Sequence, residues 1–398
     1  MRRMARFRVE FLGCKVSRAD ADEIRGRLVA DGHQYVSGGA DVAVISTCCI
    51  TREAVHKSRK AVRRAARTAA RVYVTGCAAN LPHAFDGMPA NTVIVSLPSE
   101  RTPDHVASDL GAVSCAQAVA GSDRIRAFVK IQDGCSFSCS FCVVPRVRGA
   151  SRSRPAEHVL TDVRRRIAQG HPEVVLTGIN LGCYRDRVAG YDLPRLIREV
   201  GETDGLRRLR LSSIEINHVT PELVRAMRET TTVSPHLHVP VQSGDDQVLK
   251  AMGRRYTAAS FARRLAAADG FNLTTDAIVG YPGETEDAFE QTLRLIDRVG
   301  ITKVHVFRYS PRPGTRTADD DPVSNAVKQR RSERLREASR NACIAHWRAK
   351  IGSEDVVLVD RPGRGYGDDY SPWLLTAPVG ALVQARACAV REEGIIAA

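Results

Sequence analysis

The chain has 398 residues, with 59 Lys and Arg against 45 Asp and Glu, a formal charge of +14. At roughly 100–200 residues per domain this length holds two to four domains, and a composition 43% hydrophobic and 26% charged excludes a coiled coil, a collagen-like chain and a wholly disordered one. No apolar run approaches the ~18 residues of a transmembrane helix, and no apolar segment follows the basic start Met1-Arg2-Arg3-Met4, so neither a membrane span nor a secretory signal is expected.

Short apolar runs alternate with helical patterns over the first hundred residues. Strands are predicted at 8–12, 41–45, 71–75 and 92–95, and helices at 19–31 and 53–70. Strand–helix alternation of this kind argues for an α/β fold with a small parallel sheet. Cys14, Cys48 and Cys77 each sit just past one of the strands. Sites in open α/β sheets form outside the carboxyl ends of the strands, so three thiols there point to a metal or cluster site. Residues 98–121 read as a connector.

A second α/β series then begins. Strands are predicted at 127–132, 173–177, 206–212, 236–240, 273–279 and 302–309, with helices at 156–169, 193–199, 221–230, 258–268 and 286–299. Six such units suggest a partial or complete barrel with its site at the strands' C-terminal face. Residues 326–350 read as a long charged helix whose solvated face is laced with i,i+4 pairs. From 354 onward short strands and turns suggest a small all-β module. The domains expected are 1–112, 121–350 and 351–398.

Eleven cysteines cannot all pair, and with no signal segment the expected compartment is the cytoplasm, where cysteines serve as thiols, metal ligands or catalysts. The strongest pattern is Cys135-x-x-x-Cys139-x-x-Cys142, directly after the first predicted barrel strand, with Gly134 before it. Three thiolates on one loop can hold three irons of a [4Fe–4S] cluster and leave the fourth iron open. Structural zinc takes four ligands, and no fourth Cys or His lies nearby.

This triplet resembles that of the radical S-adenosylmethionine (SAM) superfamily, and the resemblance extends along nearly the whole chain to the methylthiotransferase family. The matching stretches are Gly13-Cys14-Lys15-Val16, Ser46-Thr47-Cys48, Thr75-Gly76-Cys77, IQDGCSFSCSFCVVPRVRGASRSRP, LTGINLG, LRLSSIE, HLHVPVQSGDDQVLKAMGRRYT, DAIVGYPGETEDAF and FRYSPRPGTRT. GCKV at the first cysteine and the tail YGDDYSPW resemble the branch acting on N6-threonylcarbamoyladenosine at position 37 of tRNA. The isopentenyladenosine branch usually carries a GCQM-type motif.

The resemblance implies a flavodoxin- or Rossmann-like N-terminal domain, a partial (β/α) barrel and a C-terminal TRAM-like β-barrel. It implies two [4Fe–4S] clusters, an auxiliary one on Cys14, Cys48 and Cys77 and a SAM-cleaving one on Cys135, Cys139 and Cys142. Phe141, Gly178, Asn180, Ser212, Glu215, Gln242, Ser243, Ile278 and Gly280 match positions around SAM and substrate. The implied reaction uses one SAM to methylate a sulfide of the auxiliary cluster and a second as the source of a radical that takes the C2 hydrogen of the adenine. The implied partners are the tRNA anticodon loop and a one-electron reductant such as flavodoxin or ferredoxin. The sulfur donor is left open, and a monomer is expected.

The basic segments 57–67 and 146–154 and the terminal β module are candidate holds for the tRNA backbone, with a steep salt dependence. The sequence departs from the family pattern at Ser17, Ser46 and Asn80. Cys49 is a spare beside Cys48, and Cys115, Cys183, Cys343 and Cys388 match no ligand position.

Overall fold

The computed structural model describes residues 4–113 and 125–398; Cys115 and the end of the expected connector lie outside them. The N-terminal sheet is five-stranded and wholly parallel, in the order Gln34–Tyr35, Arg6–Phe11, Val42–Thr47, Arg71–Gly76, Thr92–Ile94. This is the flavodoxin-like order, with its switch point between Arg6–Phe11 and Val42–Thr47. Every residue of Val42–Thr47 is buried, as expected of a strand covered on both faces.

Three helices differ from expectation, Arg52–Ala66 by ending four residues short of residue 70. Lys15–Ala30 starts four residues early, because Cys14 takes the N-cap position and Val16 already packs inward. Thr102–Leu110 lies within the expected connector and buries Val106 and Ala107 among Ile24, Leu28 and Val29. Its pattern spans only nine residues, and Pro103, a breaker elsewhere, sits in the first turn where helices accept it.

The central region has six parallel strands. Arg126–Asp133, Glu173–Gly178 and Arg208–Leu211 form one group, with the short Arg152–Ser153 antiparallel at its edge. His236–His238, Asn272–Val279 and Lys303–Arg308 form the other. Parallel bridges between Leu209 and Val233 and between Ser213 and His238 help join the groups into a partial barrel. Four of the intervening helices begin on side-chain caps: Asp192, Thr220, Thr257 and Thr285 each accept from a backbone N–H of the first turn.

The long helix Asn325–Arg348 is present, but its charges do not pair as expected. Arg331 is buried and reaches Glu284 at 2.8 Å, Arg334 reaches Glu286 at 2.9 Å, and Lys328 meets Asp321. The helix is bound across to its neighbours, which periodicity along one helix cannot show.

The chain ends in a closed five-stranded barrel, Glu354–Arg361, Arg364–Tyr366, Pro372–Leu374, Gly394–Ala397 and Leu382–Arg391, with Trp373 at its core. It covers the N-terminal ends of the first three barrel strands. Buried Glu173 gathers Arg126 at 3.0 Å, Arg210 at 2.9 Å and Arg208 at 3.3 Å. Arg210 donates to the carbonyls of Gly367 at 2.7 Å and Asp368 at 2.9 Å, and Arg208 to that of Tyr366 at 3.2 Å. Tyr370, at φ +72°, stands under Arg210 with 4.2 Å between guanidinium and ring, and its ring lies 5.0 Å from that of His236. Among the described residues no helix is long and apolar enough to cross a membrane.

Candidate active site between two cysteine pockets

At the opposite end, Arg126–Asp133 runs into Gly134, whose φ is +68°. A Cβ there would stand 2.1 Å from the carbonyl oxygen of Ala150, so only glycine fits the turn. Gln132 organises the loop from beneath. Its Nε2 donates to the carbonyls of Asp133 at 2.9 Å and Gly134 at 2.7 Å and to Ser151 Oγ at 2.9 Å, while its Oε1 accepts from Asn180 N at 2.8 Å. Cys135 N donates to the carbonyl of Gly149 at 3.0 Å, and Ser140 N to that of Met252 at 3.0 Å. Phe137 N and Arg254 Nη1 donate to the sulfurs of Cys135 and Cys139, each at 3.4 Å. Burial pushes the Cys142 thiol up to about 12.

The second triplet lies in the N-terminal domain. Cys14 and Cys48 flank the switch point, and Cys77 opens the turn Cys77–Asn80 after Gly76. Along Val42–Thr47 side chains alternate. Ala43, Ile45 and, beyond the strand, Cys49 share one apolar cluster, while Cys48 emerges on the other side beside Gly13. Cys77 Sγ accepts from Arg148 Nε at 3.0 Å. The Cys49 thiol is hydrogen-bonded to Cys77 and, with Arg148, holds Cys77 below the ordinary thiol value, whereas burial pushes Cys48 up to about 11. The ten cysteines among the described residues are all free.

Both triplets fit a cluster by donor chemistry: three free thiols each, with backbone, thiol and guanidinium donors already aimed at sulfur. The departures have local counterparts. Ser17 Oγ lies 3.8 Å from Cys14 Sγ. Asn80 Nδ2 donates to the carbonyl of Val147 at 2.9 Å, tying the Cys77 turn to the helix Val144–Arg148 that follows Cys142.

A cavity of about 300 Å³ lies between the barrel cysteine loop and the segment that follows Cys48 and Cys49, and Cys14, Cys48 and Cys77 are not among its lining residues. Ile50 and Thr51, just past Cys48 and Cys49, form one wall, and Cys135, Cys139 and Cys142 another. Phe141, Asn180, Glu215, Gln242 and Ile278 also line it. Gln242 does so at φ +66°, a conformation non-glycine residues seldom adopt and one that clusters at functional sites. Gly178, Ser212, Ser243 and Gly280 are not among the lining residues. Gly178 N donates to Ser212 Oγ at 3.3 Å, Ser243 Oγ accepts from Asp245 N at 3.2 Å, and Gly280 N donates to Glu284 at 2.5 Å.

Sequence reasoning passed over Gln132, Arg254, Asp276, Arg308 and Arg312. The last four line the cavity. All five stand inside the family-like stretches, Gln132 in IQDGC, Arg254 in AMGRRYT, Asp276 in DAIVG and Arg308 and Arg312 in FRYSPRPGTRT, and a polar residue inside an apolar strand is the further signal for Gln132.

A parallel partial barrel with this cysteine loop at its C-terminal face defines a radical SAM enzyme. Residues 129–296 match the model of the Radical SAM superfamily, and residues 6–90 that of Uncharacterized protein family UPF0004. The solved radical SAM methyltransferase TsrM from Kitasatospora setae, with tryptophan and a SAM analogue bound, shares the fold at a TM-score of 0.60 and 14% identity, covering 88% of this chain and 78% of that one. Threonylcarbamoyladenosine tRNA methylthiotransferase MtaB of Thermotoga maritima is 33% identical over 99% of this chain and 96% of its own length. The protein of that name from Bacillus subtilis is 35% identical over 83% and 80%. The tRNA-2-methylthio-N(6)-dimethylallyladenosine synthase of Desulfosudis oleivorans is 34% identical over 92% and 84%. The chain belongs to the radical SAM methylthiotransferase family. Enzymes of this family use SAM and two [4Fe–4S] clusters.

Proposed function

We propose that the protein transfers a methylthio group to C2 of N6-threonylcarbamoyladenosine at position 37 of tRNA. The observation that carries this reading is the shared cavity, walled on one side by the SAM-type cysteine loop and on the other by the segment leaving Cys48. Cys135, Cys139 and Cys142 hold one cluster and Cys14, Cys48 and Cys77 the other. The clusters and SAM supply the one-electron chemistry that an aromatic C–H bond requires and that no side chain offers at neutral pH.

The chain's own residues bind and orient. Phe141 and Ile278 give the cavity apolar surface, and Asn180, Glu215 and Gln242 offer polar contacts. Arg308 and Arg312 line the same cavity: Arg308 donates to Gln329 at 2.8 Å and lies within electrostatic reach of Glu53, whereas Arg312 donates to Ser310 and forms no ion pair with a carboxylate among the described residues. Arg312 is 3% exposed. A buried guanidinium without an anion is costly, which suits a substrate whose N6 substituent ends in a carboxylate. A target base has to leave its stack to enter such a cavity, at least cost in a single-stranded loop. A one-electron reductant such as flavodoxin or ferredoxin completes the requirements.

Nucleoside mass spectrometry of tRNA from a deletion strain tests the substrate. The 2-methylthio form of threonylcarbamoyladenosine disappears and returns on complementation. Loss of the 2-methylthio isopentenyl nucleoside instead would transfer the assignment to that branch, and an unchanged profile rejects tRNA as substrate.

Lys60, Arg63 and Arg67 are exposed on the helix Arg52–Ala66 or just past it and are the RNA-facing candidates of segment 57–67. Replacing all three with alanine lowers the salt slope of tRNA binding by about 2–3 if each meets a phosphate, measured as log Kd against log salt. An unchanged slope removes this helix from the interface.

A further inference from the structure

Arg148 ends the short helix that follows the barrel cysteine loop, yet it is 8% exposed and turned into the N-terminal domain. All three guanidinium nitrogens have partners. Nε donates to Cys77 Sγ at 3.0 Å, Nη1 to both oxygens of Asp133 at 3.0 and 3.1 Å, and Nη2 to Asp20 Oδ2 at 2.7 Å. Asp133 Oδ1 also accepts from the backbone N of Gly134 at 2.7 Å, one residue before Cys135. Buried Lys130 closes the net on Asp20 at 2.5 Å and Asp133 at 3.8 Å. Two side chains thus connect a sulfur of one triplet to the loop that carries the other.

We propose that Arg148 is a positioning residue for the auxiliary cluster: it donates a hydrogen bond to the Cys77 ligand sulfur and so raises that cluster's reduction potential, while Asp133 and Asp20 set how much of its charge the sulfur feels. This rests on the assignment of Cys14, Cys48 and Cys77 to that cluster. Hydrogen bonds to the sulfurs and local net charge are what tune such potentials. Only a planar fork of five donors can serve a sulfur and two carboxylates together, so Lys is a poor substitute. Because donor and barrel cysteines share one loop, a shift of that loop is felt at the other cluster.

The test is an electron paramagnetic resonance redox titration of the chain bearing Cys135→Ala, Cys139→Ala and Cys142→Ala, which leaves the auxiliary cluster alone. Arg148→Gln lowers its midpoint potential, and Arg148→Lys restores part of the loss. Asp133→Asn keeps the donor but removes one neutralising charge, and raises the midpoint. Opposite shifts from two partners of one contact are not a product of loosened packing. Unchanged midpoints, or shifts of the same sign, overturn the proposal. Where Arg148→Gln fails to retain iron, Arg148→Lys and Asp133→Asn decide. A parent chain that binds no iron overturns the cluster assignment and this inference with it, whereas bound iron without a shift overturns the inference alone.

Discussion

Cys48→Ala strips the reconstituted protein of about four of its roughly eight irons, and Cys49→Ala leaves the count intact. The two residues are neighbours, but the strand they follow alternates its sides. Cys49 belongs to the apolar cluster of Ala43, Ile45 and Val62, fully buried, and gives its thiol to Cys77. Cys48 leaves on the other side, beside Gly13 and within the electrostatic reach of Cys14 and Cys77. Cys48→Ala therefore ends methylthiolation while SAM cleavage to 5′-deoxyadenosine continues on the untouched loop of Cys135, Cys139 and Cys142. Iron and sulfide analysis, with 5′-deoxyadenosine measured on the same sample, checks both halves. Iron lost from Cys49→Ala and kept by Cys48→Ala would exchange their assignments.

The second large effect is on stability. Glu173→Ala costs about 3–5 kcal/mol, because it leaves Arg126, Arg208 and Arg210 buried without their shared carboxylate. Against a typical total of about 5–15 kcal/mol this is a large fraction, read as a lower denaturant midpoint. Burial opposes the charge on Glu173, but Arg210, Arg126 and Arg208 outweigh it and hold the carboxyl below its ordinary value. A group held low in the folded state stabilises fully above its unfolded value, about 4.3 for Glu, and loses that contribution as pH falls through the folded value. Acid unfolding of Glu173→Gln lacks this component. A midpoint unchanged by Glu173→Ala would show the three arginines to be held by their remaining contacts, Arg126 by Asp360 and Tyr370 and Arg208 and Arg210 by the tail carbonyls.

What could be read in the sequence was local. Cys135, Cys139 and Cys142 announce themselves by spacing, and the six barrel strands by short apolar runs between helical patterns. What could not be read depends on residues that meet from afar. Arg148 looks like one charge in a basic run until Asp20, 128 positions away, and Asp133 turn it inward. Arg331 reads as solvated because Glu284 lies in the loop before another helix, 47 positions away. The helix Thr102–Leu110 is hard to read because two buried apolar side chains, Val106 and Ala107, in nine residues give too little periodicity to see.

The grip of the three arginines on the tail bears on how the terminal barrel can be studied. Truncation near residue 351 is the obvious way to ask what this module does for RNA. Here it would also pull the stopper from a drain: Tyr370 leaves, Arg208 and Arg210 lose their carbonyl acceptors, and water reaches Glu173 from below. A shortened chain that binds RNA poorly would be reporting a flooded barrel as much as a missing contact. The cleaner experiment keeps the stopper and changes only outward-facing residues such as Arg386 and Arg391 on Leu382–Arg391.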